Sequence, residues 1–100
     1  MMNVRPEVPG DVLTSQFLRP NKITQTMLAE TTGWTRKHVN QLCRGKVAIT
    51  PESALVLGRV LSTKPEFWLK LQRDADLWEA MQSELGRGRL RNMQPLVGAA

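Results

Sequence analysis

Apolar side chains recur along this chain at helical spacing, and no stretch alternates apolar and polar residues for long enough to predict a strand. Val12, Leu13 and Phe17 share one face of a segment opened by Pro9-Gly10-Asp11. Pro20 must end that helix, because its ring clashes with a continuing turn. Thr24 is placed to cap a second helix over roughly residues 25–32, with Met27 and Leu28 facing inward and Gly33 closing it in the left-handed conformation. Thr35 caps a third helix, roughly residues 36–44, closed by Gly45. Thr50-Pro51-Glu52 supplies an N-cap, a proline at the first helical position and an acid in the first turn of a fourth. Thr63-Lys64-Pro65-Glu66 has the spacing of a capping box opening a fifth. After Gly86, two glycines, a proline and weak periodicity predict a flexible basic tail over residues 86–100. Residues 1–8 are expected to form a flexible N-terminus, leaving 9–85 as one all-α domain.

The fifth helix is apolar on several sides. Phe67, Leu71, Trp78, Met81 and Leu85 fall on one face, while Trp68, Leu69 and Leu77 lie on others. A helix apolar on several sides must be covered on several sides, and one domain of 100 residues can hardly do that. Two-fold dimerisation through this helix follows, with Trp68, Leu69, Leu77 and Trp78 as the interface candidates.

Charge adds a partner class. The net charge of +5 is concentrated in two places: residues 22–46 carry +4 and residues 85–100 carry +3, around a stretch at −2. That distribution favours an acidic partner such as nucleic acid. A lone cysteine, Cys43, forms no internal disulfide and fits a reducing cytoplasm. One histidine and one cysteine make no standard zinc site, and no nucleotide-binding, metalloprotease or hydrolase motif occurs. The densest carboxylate group, Asp74, Asp76 and Glu79, reads as a solvated helix face. No apolar run reaches the ~18 residues that span a bilayer. We therefore expect no enzyme, metal, cofactor, small-molecule substrate or membrane partner.

Residues 24–46, TQTMLAETTGWTRKHVNQLCRGK, carry the functional signal. Ala29 is small enough for two helices to cross closely, Gly33 four residues later allows a sharp turn, and Val39 and Leu42 give the third helix one apolar edge. Arg36, Lys37, Asn40, Gln41 and Arg44 are left mainly on its outer side. These are the residue types that donate to phosphates and to guanine or adenine edges. Trp34 is expected to pack the turn onto the core, His38 to sit at an edge, and Cys43 to face inward.

The positions of Gln25, Leu28, Ala29, Gly33, Val39 and Leu42 resemble the helix-turn-helix of phage-repressor-like (Cro/Xre) proteins. The flanks narrow the resemblance. Pro9-Gly10-Asp11-Val12-Leu13, then Gly45-Lys46 with Ile49-Thr50, then Pro65-Glu66-Phe67-Trp68-Leu69-Lys70-Leu71-Gln72 and Asp76-Leu77-Trp78 are similar to the signatures of HigA-type antitoxins, a VapI-like subgroup. The chain departs from that pattern at Val8, where the family usually has His, and at Lys70, where it has Asn. The resemblance implies a five-helix Cro/phage-repressor-like domain that binds an inverted-repeat operator in double-stranded DNA as a homodimer and represses its own operon. It also implies neutralisation of a HigB-like, mRNA-cleaving toxin through the N-terminal helices, away from the DNA. The alternative is a stand-alone phage-repressor-like regulator with no toxin partner. In this geometry the start of the third helix enters the major groove. Thr35, Arg36, Lys37, Asn40 and Gln41 are then the base-reading candidates, and Thr24, Gln25, Arg44 and Lys46 the phosphate candidates.

Overall fold

A computed structural model describes residues 4–98, except for the side chains of residues 84–87. Expectations that fall on residues 1–3 and 99–100, or on the side chains of Leu85 and Arg87, lie outside the described residues.

The described residues are all-helical. Helix α1 opens as α-helix, Pro9–Val12, and widens into a π-helix, Leu13–Leu18. It is followed by α2 (Gln25–Thr32), α3 (Arg36–Cys43), α4 (Pro51–Leu61), α5 (Pro65–Gln82) and α6 (Glu84–Arg91). The π turns have a packing reason. Leu13 and Leu18, five residues apart, are both buried. At 3.6 residues per turn they would point more than a third of a turn apart, and widening the helix brings both inward.

The caps follow the sequence closely. Thr24 Oγ1 accepts from the Met27 N–H, and Thr35 Oγ1 from the His38 N–H, each at 3.0 Å. Thr50 and Ser53 cap α4 reciprocally. Gly33 and Gly45 take φ of +81° and +70°, the left-handed region that a Cβ disfavours. The start of α5 differs from expectation. Lys64 occupies the N-cap without a side-chain bond. The Thr63 hydroxyl instead accepts from the Trp68 indole N–H at 2.7 Å. A buried indole N–H needs a partner more than an exposed helix start does.

The core joins Val12, Leu13 and Leu18 of α1, Leu28 and Ala29 of α2, Val39, Leu42 and Cys43 of α3, Ile49, Ala54 and Leu57 at α4, and Trp68 of α5. Phe17 bridges α1 to α5, with its ring 6.0 Å from Phe67 and 5.3 Å from Trp68. Burial holds the Cys43 thiol above its usual pKa, and a hydrogen bond with Thr14 partly offsets the rise.

Three expectations need correction. Met27 does not face inward; it is 48% exposed, and Leu28 alone of that pair is buried. The buried line of α5 runs through Trp68 and Ala75, while Phe67 lies at the surface. A stripe counted from large side chains missed Ala75, whose small size lets neighbouring chain come close. Finally, the backbone stays helical to Arg91 through Gly86 and Gly88, which cost a helix only about 1 kcal/mol each. Irregular chain begins after it. At the other end, Arg5 and Val8 contact the body: Arg5 sits 5.8 Å above the Trp78 ring, and the Val8 carbonyl accepts from the Val12 N–H.

Candidate nucleic-acid interface

The interface is built from the α2–turn–α3 unit. α2 stops at Gly33 because that residue folds the chain back. The Thr32 hydroxyl donates to the Leu28 carbonyl at 2.8 Å and accepts from the Trp34 N–H at 3.2 Å. Trp34 packs its ring on His38 at 5.1 Å and against the core, so the turn is anchored by an aromatic side chain. Val39, Leu42 and Cys43 hold α3 from beneath.

Successive residues turn by about 100° on a helix, so Arg36, Lys37, Asn40, Gln41 and Arg44 occupy an arc of about 140° opposite that buried edge. Arg36, Lys37 and Arg44 are exposed, and Asn40 and Gln41 half-buried. No acidic residue lies on α3. Thr35 is exposed at its N-cap, with its hydroxyl already serving the His38 N–H. Gly45 closes the helix: the Lys46 N–H bonds back to the Gln41 carbonyl at 2.8 Å, and exposed Lys46 leaves beside Arg44. The result is a convex cationic rod with donor side chains at its tip, a shape suited to a groove about 12 Å wide.

Spacing alone did not reveal one link inside this face. Asn40 Nδ2 donates to Gln25 Oε1 at 3.2 Å, tying α3 to the first turn of α2. A base-reading candidate and a phosphate candidate are thus partners. The Gln25 amide uses its oxygen to accept from Asn40. Asn40 has one donor committed to this link. Both Gln25 and Thr24 stand at the start of α2, where free backbone N–H groups also face outward.

A family model described as Helix-turn-helix matches residues 16–68. Vibrio cholerae antitoxin HigA-1 is 41% identical over 75 residues, 75% of this chain and 70% of that protein. The chain belongs to the HigA-type branch of the helix-turn-helix family. Among other relatives of this HigA-type regulator, a Haemophilus influenzae HTH-type transcriptional regulator is 33% identical over 97 residues, covering 97% of this chain and 91% of its own. The fold is similar to that of Pseudomonas aeruginosa antitoxin HigA with the higBA promoter: TM-score 0.85, 30% identity, 93% of this chain and 100% of that one.

Other predicted residues of the HigA-type chain fall into different places. Trp68, offered as an interface residue, is fully buried in its own chain and cannot reach a second copy. Leu69 is half-buried against the core. Trp78 is half-buried beneath Arg5, with its Nε1 out of contact with solvent and unpaired. Leu77 is 52% exposed and is the one of the four that stands open. Asp74 pairs with Arg73, and Asp76 accepts from Gln72, so these carboxylates serve different partners. Gln72 also accepts from the Ile49 N–H at 2.7 Å, pinning the loop after α3 to α5. Its place in the WLKLQ stretch was the available signal for that contact.

The cap at Thr35 provides a first test of this geometry. Thr35→Ala leaves the His38 N–H without its acceptor. It should lower stability by about 1 kcal/mol in thermal unfolding, while Thr35→Ser retains most of it.

Proposed function

We propose that this HigA-type regulator acts in the cytoplasm, binds operator DNA as a two-fold dimer, represses its own operon and neutralises a HigB-like toxin. The observation that carries the DNA reading is the acid-free outer face of α3, with Arg36 and Lys37 exposed at its N-terminal end over a buried Val39 and Leu42. Arg36 or Lys37 donates to a guanine, and Gln41, with Asn40 beside it, favours adenine. Thr24, Gln25, Arg44 and Lys46 hold phosphates, and these fix register without reading sequence. The dimer forms through the open side of α5 around Leu77 and sets the two α3 helices about 34 Å apart, one turn of DNA. The relatives named HigA support the toxin partnership. α1, on the flank away from the tip of α3, is the surface for the toxin.

The test is a gel shift and footprint on the DNA upstream of the gene. Arg36→Ala or Gln41→Ala should cost about 1–3 kcal/mol and relax preference at one base position per half-site. Lys46→Ala should weaken all sequences alike and reduce the slope of log affinity against log salt by about 0.9. Unchanged affinity and footprint in the first pair would overturn the assignment of α3. Co-expression with the neighbouring reading frame tests the second activity: a small toxin should co-purify, and its absence leaves a stand-alone regulator.

A further inference from the structure

Residues 88–98, the end of α6 and the chain that follows it, are all exposed and form an arm. Ser83 is extended, φ −69° and ψ 149°, so α6 leaves the line of α5. The molecule is correspondingly long, 51 Å against 25 and 22 Å. On this arm Leu90 and Met93 are 64% and 53% exposed, and Leu96 and Val97 more than 80%. An exposed apolar group of that size on a small protein marks a contact surface. Arg89 and Arg91 accompany it, and no acid follows Glu84 in the chain.

We infer that this arm docks on α5 of a second copy of the chain, so that the two protomers exchange arms around the dimer axis. The inference rests on the dimer reading above and adds the element that closes it. Area is the first reason. A stable interface needs about 800 Å² from each partner. On α5, Leu77 and the edge of Phe67 are the large apolar groups open to solvent among the described residues, a narrow apolar centre for such an interface. The four apolar residues of the arm make up the difference. Charge is the second reason. α5 carries Glu66, Asp74, Asp76 and Glu79 against Lys70 and Arg73, a net −2, and every charged residue after Glu84 is an arginine. Reach is the third. α5 is about 27 Å long; α6 spans about 12 Å, and the seven described residues after it add up to about 23 Å when drawn out, enough to run the length of α5. A two-fold exchange uses the same contact twice, so each side chain counts double.

The experiment compares the full chain with a Leu90→Asp, Met93→Asp, Leu96→Asp variant by sedimentation, with helix content and unfolding checked by circular dichroism. These side chains are exposed, so the fold is expected to survive. The dimer dissociation constant should rise at least about tenfold, the scale of losing one large apolar contact. In a second arm, a Leu77→Cys copy mixed with a Met93→Cys copy should give a disulfide-linked heterodimer on a non-reducing gel. A wild-type dimer that the triple variant forms equally tightly, with no such crosslink, overturns the arm exchange and leaves the dimer standing. A monomeric wild type overturns both. A variant that dimerises normally but loses only affinity for DNA, or only the toxin, also overturns it and reassigns the arm to that partner.

Discussion

Trp68→Ala should destabilise the protein by about 3–5 kcal/mol, enough to leave little folded protein at physiological temperature. Trp68 is the largest fully buried side chain and touches the rings of both Phe17 and Phe67. Its loss opens a cavity at the junction of α1 and α5 and strands the Thr63 hydroxyl. Trp68→Phe separates these terms, because it keeps much of the volume and loses the 2.7 Å bond to Thr63. The reciprocal change, Thr63→Val, leaves a buried indole N–H unpaired and should cost about 1–3 kcal/mol. Urea unfolding of the three variants gives the order Trp68→Ala, then Trp68→Phe and Thr63→Val as the milder pair. A Trp68→Ala protein as stable as wild type would remove this side chain from the core.

Gly10→Ala should be nearly as damaging, for a steric reason. A Cβ on Gly10 would meet the Leu42 carbonyl oxygen at 2.4 Å and the Cys43 carbonyl oxygen at 2.5 Å. Both are backbone atoms at the end of α3 and cannot rotate away, so α1 must lift from α3, the proposed recognition helix. A cost of about 3 kcal/mol is expected from such overpacking, or roughly 12–24 °C in Tm for a chain of this size. The matched control is Gly88→Ala. It sits in α6 with nothing within 4 Å, and it should be neutral or stabilise by up to about 1 kcal/mol. Because α1 braces α3, Gly10→Ala should weaken operator binding as well as folding. Differential scanning calorimetry and a gel shift on the same sample check both. Equal melting of the two glycine variants would refute the contact.

The boundaries of α2, α3 and the start of α4 were readable because they rest on local chemistry. Thr24, Thr35 and Thr50 cap the helices predicted for them, and Gly33 and Gly45 end α2 and α3 in the conformation expected of glycine. The face of α3 was readable for the same reason: periodicity turns Lys37, Gln41 and Arg44 away from Val39 and Leu42, with Arg36 at the margin, whatever surrounds the helix.

Contacts between segments distant in the chain were not. The Asn40–Gln25 bond, the Ile49–Gln72 bond and the approach of Gly10 to Leu42 depend on how whole helices cross. Trp68 illustrates the division. Its presence marked α5 as needing cover, yet only packing revealed that its own chain supplies that cover and that Leu77 and the C-terminal arm are what stay open. Capping, turn geometry and helical periodicity act over three or four residues and are therefore written in local order. Which face is buried is a sum over neighbours from every part of the chain, and it exists only once the helices have met.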